Sequence, residues 1–387
     1  MWRDLSLFFK EVRSFVAYIG APSHRRRLTF YSECAVYFQT FEGFIREILT
    51  VSDLEICYIS SDISDERLAS VDARVHFYYA DKLLPYFLLF SDAAALVMTL
   101  TDLHQFHVRR SEAGAHHVYV FHAMVSTHMI YRKGAFDHYD TLLCVGSHQV
   151  EEIRKTESVY GLRPKRLLET GYPLLDRIRR ESVSRTHESR TPGTVLIAPS
   201  WAPGNIMESC ARPLVSSLVS KGWKVILRPH PEFLKRKRDA FDSLCNDLRS
   251  TAGVKIDIDF LDTNSIHDAD ALITDWSGMA LEYAFGTERP VLYIDTPRKV
   301  TNTEYERLEL LPIEVSIREK IGAILSIADC GKAPEAIEDL FSRREEYRGR
   351  IRELRENYSF NLGRSASVGA RQIIAMAKKE DPVLESD

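Results

Sequence analysis

Three short segments of this sequence combine residue types that suit the binding of a phosphate. They are ITDWSGM, which contains Asp275, Ser277 and Gly278, the segment ILRPHPE around His230, and VYVFH, which ends at His122. Backbone N–H groups at the start of a helix bind anions. A histidine at the end of a strand can contact a ligand there and exchange a proton near neutral pH. The three segments therefore predict a phosphate site served by two histidines.

The ITDWSGM segment joins a predicted apolar strand over Ala271–Thr274 to a predicted helix. At such a junction the backbone N–H groups of Ser277, Gly278 and Met279 point out of the sheet end, where the positive end of the helix dipole meets a phosphate. Gly278 permits close backbone approach. The alternative is that Asp275 or Ser277 only caps the helix, and taken alone the segment favours that interpretation.

The ILRPHPE segment predicts a strand that ends in Arg228, followed by His230 between two prolines. The fixed φ angles of Pro229 and Pro231 stiffen the backbone on both sides of the histidine. A rigid histidine beside an arginine at the carboxyl end of a strand is suited to a phosphate. The alternative is an ordinary surface turn, which the flanking prolines make the weaker interpretation.

Histidines are concentrated around His122, since eight of the thirteen lie in this part of the chain. A metal site could use His104 and His107, or His116 and His117 together with His122. However, no HExxH or comparable ligand spacing with a matching carboxylate is present, so no metal is expected. GxSxG, GxxxxGK[ST] and GxGxxG patterns are absent as well, and no cofactor-binding pattern is found.

Strands and helices alternate in a way that places these segments at sheet ends. In the first half, LTFYSE, EICYIS, RVHFYYA, AALVMT, HVYVFH and TLLCVG predict buried strands, with TFEGFIREIL, LLPYFLLFSDAA and SHQVEEIRKTESVYGL as helices. In the second half, TVLIAPSW, WKVILRPHP, VKIDIDF, ADALITD and RPVLYID predict strands, with MESCARPLVSSLVSKG and WSGMALEYAFG as helices. This is the pattern of two doubly wound parallel sheets. We expect an α/β protein with a ligand cleft between two domains.

The polar segment 180–193 is the predicted linker between the domains. We expect an amphipathic helix with a basic flank over residues 1–27 and a first Rossmann-like domain over 28–180. A second such domain is expected over 194–332, with C-terminal helices and a tail over 333–387.

Composition excludes several classes of protein. A chain of 387 residues with 45% hydrophobic and 27% charged residues is a folded protein, and about 150 residues per domain gives two domains. The net charge of −4 provides no bulk attraction to nucleic acid. The six cysteines are scattered without a CxxC pair, which fits a reducing cytoplasm.

The N-terminal segment predicts a helix with an apolar stripe, formed by Trp2, Leu5, Phe9, Val12, Val16 and Ile19. With the basic HRRR segment that follows, it could lie on an anionic membrane surface. The favoured alternative is that the stripe docks on its own domain, since Asp4 and Glu11 would be repelled by anionic lipid. Charged residues within the apolar region argue against a signal peptide. No apolar run approaches the roughly 20 residues that a membrane-spanning helix needs. We expect a cytoplasmic protein with, at most, a peripheral contact to the inner membrane.

ITDWSGMALEYA followed by RPVLYID resembles the TDxSS…(D/E)YA…(K/R)P(I/V) signature of the CDP-glycerol glycerophosphotransferases, which include teichoic-acid primases and polymerases. VLIAPSW is similar to the family's AP(T/S)W loop, ILRPHPE to its (K/R)xHP motif and GYPLLD to its G(Y/N)PRxD motif. These motifs fall in family order. FYSE, TDLHQFHVRRS and DTPRKVTNTEY further resemble a branch found in Gram-negative surface-polysaccharide loci.

The resemblance implies a GT-B fold of two Rossmann-like domains, CDP-glycerol as donor, a glycan acceptor that is lipid-linked or not, and CMP as product. It also implies that His122 and His230 are the catalytic residues. The expected donor-binding residues are Arg228, Asp275, Ser277, Gly278, Met279, Glu282, Pro199 and Ser200. No metal or other cofactor is expected.

Two residues depart from the family's pattern. Ala123 follows His122 where the family has glycine, and Gly278 stands where the family has a second serine. Both departures bear on the identity of the donor. Three alternatives therefore stay open: a GT-B glycosyltransferase with a CMP- or UDP-activated sugar, a UDP-sugar 2-epimerase-like enzyme, and a non-catalytic scaffold for polysaccharide export.

Overall fold

The computed structural model describes residues 2–66, 72–185 and 193–380, with side chains from residue 5 onward. The chain divides into two compact units. Unit 1 consists of Met1–His122, Tyr131–Leu174 and Ser359–Asp387, and unit 2 of Ala123–Ile130 and Leu175–Tyr358. Each unit contains one parallel β-sheet.

The sheet of unit 1 has seven strands in the order β3-β2-β1-β4-β5-β6-β7, all parallel. The strands are β1 (Leu28–Ser32), β2 (Ile56–Ser60), β3 (Val75–Tyr79), β4 (Ala95–Met98), β5 (His117–Val120), β6 (Thr141–Cys144) and β7 (Arg166–Glu169). Among the described residues, the helices of this unit include α1 (Trp2–Gly20), α2 (Ser23–Arg26), α3 (Phe38–Val51), α4 (Leu84–Leu89), α5 (Ser147–Tyr160) and α17 (Ser365–Lys378). Short 3-10 helices cover Ala35–Tyr37 and Ile63–Asp65.

The core of unit 1 joins the sheet to helices from opposite ends of the sequence. Phe41, Phe44 and Ile48 of α3 are buried together with Ile373 of α17 against apolar strand residues. A Cβ atom at Gly369 would lie 2.2 Å from the ring of Phe44, so α17 reaches α3 only through a glycine. The C-terminal helix is therefore part of the first sheet's core.

The sheet of unit 2 has six parallel strands in the order β10-β9-β8-β11-β12-β13. They are β8 (Thr194–Ile197), β9 (Lys224–Leu227), β10 (Val254–Ile256), β11 (Ala271–Thr274), β12 (Val291–Asp295) and β13 (Gly322–Ser326). The helices, of which the first begins at the end of unit 1, are α6 (Pro173–Ser184), α7 (Ile206–Ser209), α8 (Ala211–Ser220), α9 (Pro231–Arg236), α10 (Arg238–Leu248), α11 (Asn264–Asp268), α12 (Met279–Thr287), α13 (Ile313–Ser316), α14 (Arg318–Ile321), α15 (Ala333–Ser342) and α16 (Arg344–Tyr358). Short 3-10 helices cover Tyr305–Leu308 and Ile327–Lys332.

These two sheets confirm the predicted fold class of doubly wound parallel α/β sheets. The limits of the units differ from the predicted domain limits in three places. Helix α6 continues through Ser184, into the predicted linker. Residues 123–130 group with unit 2, and residues from Ser359 onward return to unit 1. Residues 186–192 of the linker lie outside the described residues.

A single carboxylate holds three helices of unit 2 together at the end of α12. Glu288 follows α12 in the left-handed conformation, with φ of 59°. Its oxygens accept from Arg179 of α6 at 3.1 Å and from Arg355 and Arg352 of α16 at 3.0 and 2.8 Å. Hydrogen bonds from these guanidinium groups lower the pKa of Glu288 to about 2, against the opposing effect of burial.

Helix α1 docks on unit 1, but through a different face from the predicted stripe. Tyr18 is fully buried, and its hydroxyl lies 2.9 Å from Ser91 Oγ. The Glu11 carboxylate accepts backbone N–H bonds from the segment before α4. By contrast, Phe9 and Val16 of the predicted stripe are each 65% exposed. The prediction that the stripe is the docking face is wrong. The helix is held by the contact between Tyr18 and Ser91 and by the buried Glu11 carboxylate, and apolar periodicity takes no account of such polar contacts.

No helix in residues 2–66, 72–185 and 193–380 is long and apolar enough to cross a membrane.

We expect Tyr18→Ala to destabilise unit 1 by about 3–5 kcal/mol, since it removes a buried aromatic ring from the contact between α1 and the sheet. Val16→Ala on the same helix alters an exposed residue and should change the free energy of unfolding by less than about 0.5 kcal/mol. Urea unfolding of both variants tests this. Equal losses for the two variants would show that α1 is not docked through Tyr18.

We expect the Glu288 cluster to stabilise unit 2 in a pH-dependent way. Because folding lowers this pKa from its usual 4.5 to about 2, the stabilisation is present above pH 4.5 and is lost as the pH falls towards 2. Glu288→Gln should therefore cost about 3 kcal/mol at pH 7 and progressively less in acid. Glu345→Gln, on the exposed side of α16, is the matched control. A pH-independent difference between the parent protein and Glu288→Gln would contradict this account.

Candidate active site

The first turn of α12 in unit 2 is the accessible part of an otherwise buried helix. Strand β11 ends at Thr274, and Ser277, Gly278 and Met279 are half-buried, whereas every residue from Ala280 to Thr287 is buried. Ser277 Oγ accepts the Met279 N–H at 3.3 Å. The turn thus offers backbone N–H groups and one hydroxyl at the positive end of a nine-residue helix.

The buried Asp275 side chain connects this turn to the loop after β8. It is 1% exposed, and its carboxylate accepts the backbone N–H groups of Ser200 at 2.7 Å, Trp276 at 2.6 Å and Ile206 at 3.3 Å. Burial raises the pKa of Asp275, and these hydrogen bonds oppose that rise. The carboxylate therefore joins the β8 loop, which includes the buried Pro199 and Ser200, to the end of β11.

Arg228 is also engaged within the protein. Its guanidinium donates to Asp257 and to Ser265 Oγ, both at 2.7 Å, and to the carbonyl oxygen of Asp262 at 2.9 Å. The residue is 6% exposed. These bonds join Arg228 to the loop after β10.

His230 caps α9, which follows it. Its Nδ1 accepts the Glu232 N–H at 3.1 Å, and the ring is half-buried. Since Nδ1 is an acceptor, the proton of the neutral ring lies on Nε2. His230, whose backbone the two flanking prolines stiffen, is thus also fixed in one tautomer.

A tryptophan and two cations that the sequence-based site did not include lie near His230. The Trp201 ring centroid is 6.4 Å from that of His230. Lys299 Nζ lies 5.2 Å and Arg236 Cζ lies 4.9 Å from the Trp201 ring. Desolvation lowers the pKa of Lys299 below its usual value. Trp201 lies in the APSW segment and Lys299 in the DTPRKVTNTEY segment. Both residues could therefore have been found from motifs that the sequence analysis quoted.

A second aromatic–cation group lies directly before Ser277. Arg318 Cζ is 4.1 Å from the Trp276 ring, which Arg298 approaches to 5.5 Å. Arg318 is 5% exposed and donates to Asp295 at 2.8 Å. Within the described ranges, its Nε and Nη2 atoms have no hydrogen-bond partner. No sequence signal indicated Arg318, because its position depends on β12 and α14 lying side by side.

Glu282 lies in the first turn of α12 and is 7% exposed. Its backbone N–H is bonded to the Gly278 carbonyl at 3.3 Å. The structure therefore places this predicted donor-binding residue in the helix of the turn.

His122 in unit 1 lies two residues beyond the end of β5 and is half-buried. Its ring makes edge contacts with Tyr37, at a centroid distance of 4.9 Å, and with Tyr131, at 6.2 Å. The Tyr172 hydroxyl donates to the His122 carbonyl oxygen at 2.8 Å. Both the ring and the backbone of this histidine are therefore held in place.

The GYP segment explains the position of Tyr172. Gly171 has φ of +85°, and a Cβ atom there would lie 2.2 Å from the Phe360 carbonyl oxygen. Glycine alone fits this backbone conformation and this approach. Gly171 thus turns the chain so that Tyr172 can bond the backbone of His122.

The structure describes no group of three or more His, Cys, Asp and Glu side chains in residues 5–66, 72–185 and 193–380 that could hold a metal ion. His116 Nε2 is within 2.8 Å of Thr141 Oγ1, and the backbone N–H of His117 is bonded to Asp140. The His104 ring packs against that of His138. His116 and His117 also share a carboxylate, because the Nδ1 atom of each lies within 4 Å of Asp140 Oδ2.

Comparison with solved structures identifies the fold. A histidine-to-asparagine variant of the wall teichoic acid polymerase TagF, soaked with CDPG, is 14% identical, with 97% of this chain and 95% of that chain covered and a TM-score of 0.61. A putative UDP-N-acetylglucosamine 2-epimerase from Listeria monocytogenes is 12% identical over 93% of this chain and 99% of that one, with a TM-score of 0.60. S. aureus MnaA with UDP is 12% identical over 93% and 98%, with a TM-score of 0.57. These likenesses show the GT-B-like α/β fold.

The family is shown by the sequence. A search of the curated proteins gives no match. Residues 50–300, more than half of the chain, match the family model described as CDP-Glycerol:Poly(glycerophosphate) glycerophosphotransferase. This range contains His122, His230 and the α12 turn. The chain therefore belongs to the CDP-Glycerol:Poly(glycerophosphate) glycerophosphotransferase family, and it is a transferase of that kind.

Proposed function

We propose that this protein transfers glycerol phosphate from CDP-glycerol to a hydroxyl group of a surface-polysaccharide or teichoic-acid-like acceptor and releases CMP. The observation that carries the proposal is the accessible first turn of α12, whose backbone N–H groups can bind a phosphate, with Arg318 and Arg298 against the ring of the preceding Trp276. Family membership supports the choice of donor.

The proposed reaction is a displacement at phosphorus. The acceptor oxygen bonds to the β-phosphorus of CDP-glycerol, and the bond from that phosphorus to the oxygen bridging to the α-phosphorus breaks. That oxygen leaves with CMP, which gains negative charge, and the acceptor hydroxyl loses its proton. Catalysis therefore needs a base and a positively polarised site for the phosphates.

Unit 2 supplies the phosphate site in this proposal. The Ser277 hydroxyl and the backbone N–H groups of Gly278 and Met279 bind the pyrophosphate, and His230 donates to the leaving phosphate from Nε2. Lys299 adds positive charge. Glu282 in the helix contributes to the nucleotide site.

Two predicted donor-binding residues, Asp275 and Arg228, act through others in this proposal. Asp275 holds the loop of Pro199 and Ser200 in place, and that loop lies against the turn. Arg228 holds the loop after β10 through Asp257. Their carboxylate and guanidinium groups are occupied by protein partners and position the site.

Unit 1 supplies the base. Tyrosines contact the His122 ring and bond its carbonyl oxygen. A histidine held in this way suits a base that must remove the proton of one particular hydroxyl group. General base catalysis by such a group contributes about 10²–10⁴ in rate.

An assay with several nucleotide-activated donors distinguishes the proposed reaction from its alternatives. The Listeria monocytogenes structure described as a putative UDP-N-acetylglucosamine 2-epimerase shares the fold with a TM-score of 0.60, so the fold does not choose between transfer and epimerisation. Purified protein is incubated with CDP-glycerol, CMP-sugars and UDP-sugars, and the released nucleotide is measured. CMP from CDP-glycerol supports the proposal, whereas nucleotide release from a sugar donor alone, or a change in the sugar without release, would replace it.

The proposal includes a peripheral contact with the cytoplasmic face of the inner membrane, where a lipid-linked acceptor would be met. Leu5, Phe9 and Val16 of α1 are 48%, 65% and 65% exposed, and the nearby His24 side chain is 65% exposed. Apolar residues beside groups that can be cationic favour an anionic bilayer surface.

We expect His122→Ala to bind CDP-glycerol almost as well as the parent while turnover falls by about 10²–10⁴-fold. Gly278→Val adds bulk at the turn and should weaken donor binding itself, because it obstructs contacts made in ground and transition states alike. His230→Ala should reduce both turnover and affinity. Calorimetric titration with CDP-glycerol beside a CMP-release assay separates these effects. Near-parental turnover of His122→Ala would exclude it as the base.

We expect Phe9→Ser combined with Val16→Ser to reduce sedimentation with phosphatidylglycerol vesicles several-fold, because it removes apolar side chains from the outward face of α1. Val183→Ser is the matched control, since Val183 is 76% exposed on α6. Loss of vesicle binding by Val183→Ser to the same extent, or no binding by the parent, would contradict the membrane contact.

A further inference from the structure

Two loops of unit 1 form a surface that the proposed reaction does not yet use. They are residues 99–116, which join β4 to β5, and residues 131–140, which precede β6. The Asp102 N–H donates to the Ala135 carbonyl oxygen at 3.0 Å, and Arg110 Nη1 donates to the His138 carbonyl oxygen at 2.6 Å. The His104 and His138 rings also pack together. The two loops therefore present one continuous surface.

The first of these loops folds back on itself through two left-handed residues. Asp102 and His104 have φ of 61° and 67°, a conformation that aspartate and histidine adopt more readily than most residues other than glycine. The His104 N–H donates to the Val108 carbonyl oxygen at 2.9 Å, and His104 Nδ1 accepts the Arg110 N–H at 3.2 Å. The exposed side chains of residues 105–107 therefore stand on a backbone that is held by its own hydrogen bonds.

Basic side chains are concentrated on these two loops. The segment 103–111 contains no acidic residue. Asp102 lies 3.6 Å from Arg132, but its side chain is only 13% exposed and presents little charge to solvent. Asp137 lies 3.9 Å from Lys165. We call the exposed side chains of the following residues the basic surface: His104, Phe106, His107, Arg109, Arg132 and Lys133.

The cations of the basic surface are available to an anion. Within the described part of the chain, the Arg109 guanidinium has no hydrogen bond or ion pair. Arg132 Cζ lies 5.3 Å from the ring of Phe106, which is 52% exposed, and Lys133 Nζ lies 4.4 Å from the Tyr160 ring. A cation that rests on a ring has less freedom to lose when a ligand binds. Arg132 is therefore prepared for the two-bond contact that a guanidinium makes with a phosphate.

The basic surface begins next to the proposed base. The Tyr131 ring contacts that of His122 at a centroid distance of 6.2 Å, and Tyr131 directly precedes Arg132 in the chain. Tyr131 is buried and packs on the Phe136 ring at 5.0 Å, so this part of the loop belongs to the core of unit 1. Arg132 therefore reaches the surface one residue away from a ring that contacts His122.

The other end of the basic surface lies at the opposite edge of the sheet. Arg109 is followed by Arg110, whose guanidinium donates to both Asp140 oxygens at 2.7 Å. The Asp140 carboxylate also accepts the N–H of His117, the first residue of β5, at 2.8 Å. Because His122 lies beyond the last residue of β5, the basic surface extends along this strand from one edge of the sheet to the other. An elongated basic surface suits a chain with repeated negative charges better than a single small anion.

We infer that the basic surface binds the acceptor behind its reacting end, and that this part of the acceptor is a chain with repeated phosphodiester groups. The inference rests on the proposed function, in which His122 is the base. With the acceptor hydroxyl at His122, the phosphodiester groups that follow it meet Arg132 and then Arg109. An anionic bilayer fits this surface less well, because Phe106 is its single apolar side chain, whereas several apolar residues of α1 are exposed.

Binding of a fluorescently labelled poly(glycerol phosphate) oligomer to the full chain, without donor, tests the inference by anisotropy. Arg109→Gln combined with Arg132→Gln should raise the Kd by about tenfold. Added NaCl should weaken binding to the parent more than to this variant, because salt screens exposed charges. Arg109→Lys combined with Arg132→Lys keeps both charges and should lose less affinity. Arg249→Gln combined with Arg344→Gln is the matched control, since it removes two exposed cations of unit 2 and should leave the Kd unchanged.

Steady-state CMP release with the same oligomer as acceptor separates acceptor binding from donor binding. Arg109→Gln combined with Arg132→Gln should raise the KM for the oligomer by about tenfold. The KM for CDP-glycerol should change much less, because unit 2 supplies the donor site in the proposed function. Thermal unfolding of each variant shows whether it is folded. Both substitutions replace exposed side chains, so we expect a Tm close to that of the parent.

The outcomes separate the inference from the proposed function. If the parent releases CMP from CDP-glycerol but binds the oligomer no better than the glutamine variant of Arg109 and Arg132 does, the inference is overturned and the proposed function stands. If the parent releases no CMP from CDP-glycerol, the proposed function is overturned and the acceptor role of the basic surface with it. If the glutamine variant keeps oligomer binding but no longer sediments with phosphatidylglycerol vesicles, the surface binds a bilayer and the inference is again overturned.

Discussion

The buried carboxylate of Asp275 is the interaction on which the candidate site depends. It is inaccessible to water, yet three backbone N–H groups from two loops are bonded to it. A buried charge without such partners would be costly, so the β8 loop and the end of β11 are held together. The first turn of α12 therefore starts from a fixed backbone, which a phosphate site with preorganised donors requires.

The other parts of the site are held in the same indirect way. Arg228 is used to hold a loop, and Tyr172 is used to hold the backbone of His122. Motifs that resemble a ligand-binding signature thus contain residues of two kinds: those accessible at the turn, such as Ser277, and those that keep the turn and the histidine in place. Deep burial and internal partners distinguish the second kind.

The segment over residues 123–130 is held by distant parts of unit 2. It runs from the residue after His122 to contacts with Glu314 and with the loop around Asn302. A Cβ atom built at Gly278 would lie 3.2 Å from Val125 Cγ1 and 3.3 Å from Ala123 Cβ. Residues far apart in sequence therefore limit the space that is available to one another.

Much of the architecture was determined by the sequence itself. Buried parallel strands are continuous apolar runs bounded by polar turns, so HVYVFH and ADALITD could be recognised without a structure. Likewise, the motifs around His122, His230 and Ser277 led to the catalytic and donor-binding residues that we propose. The edge strands β7 and β13, in which few side chains are buried, were missed, although the other two edge strands, β3 and β10, were recognised.

Only the tertiary structure decided which residues share a surface. Periodicity placed the wrong face of α1 against unit 1, because the hydrogen bonds of Tyr18 and Glu11 depend on partners distant in sequence. It could not show that Arg228 has internal partners, that Arg318 stacks on Trp276, or that Ala123 faces Gly278. Local patterns report burial along one element, whereas these contacts depend on how several elements pack together.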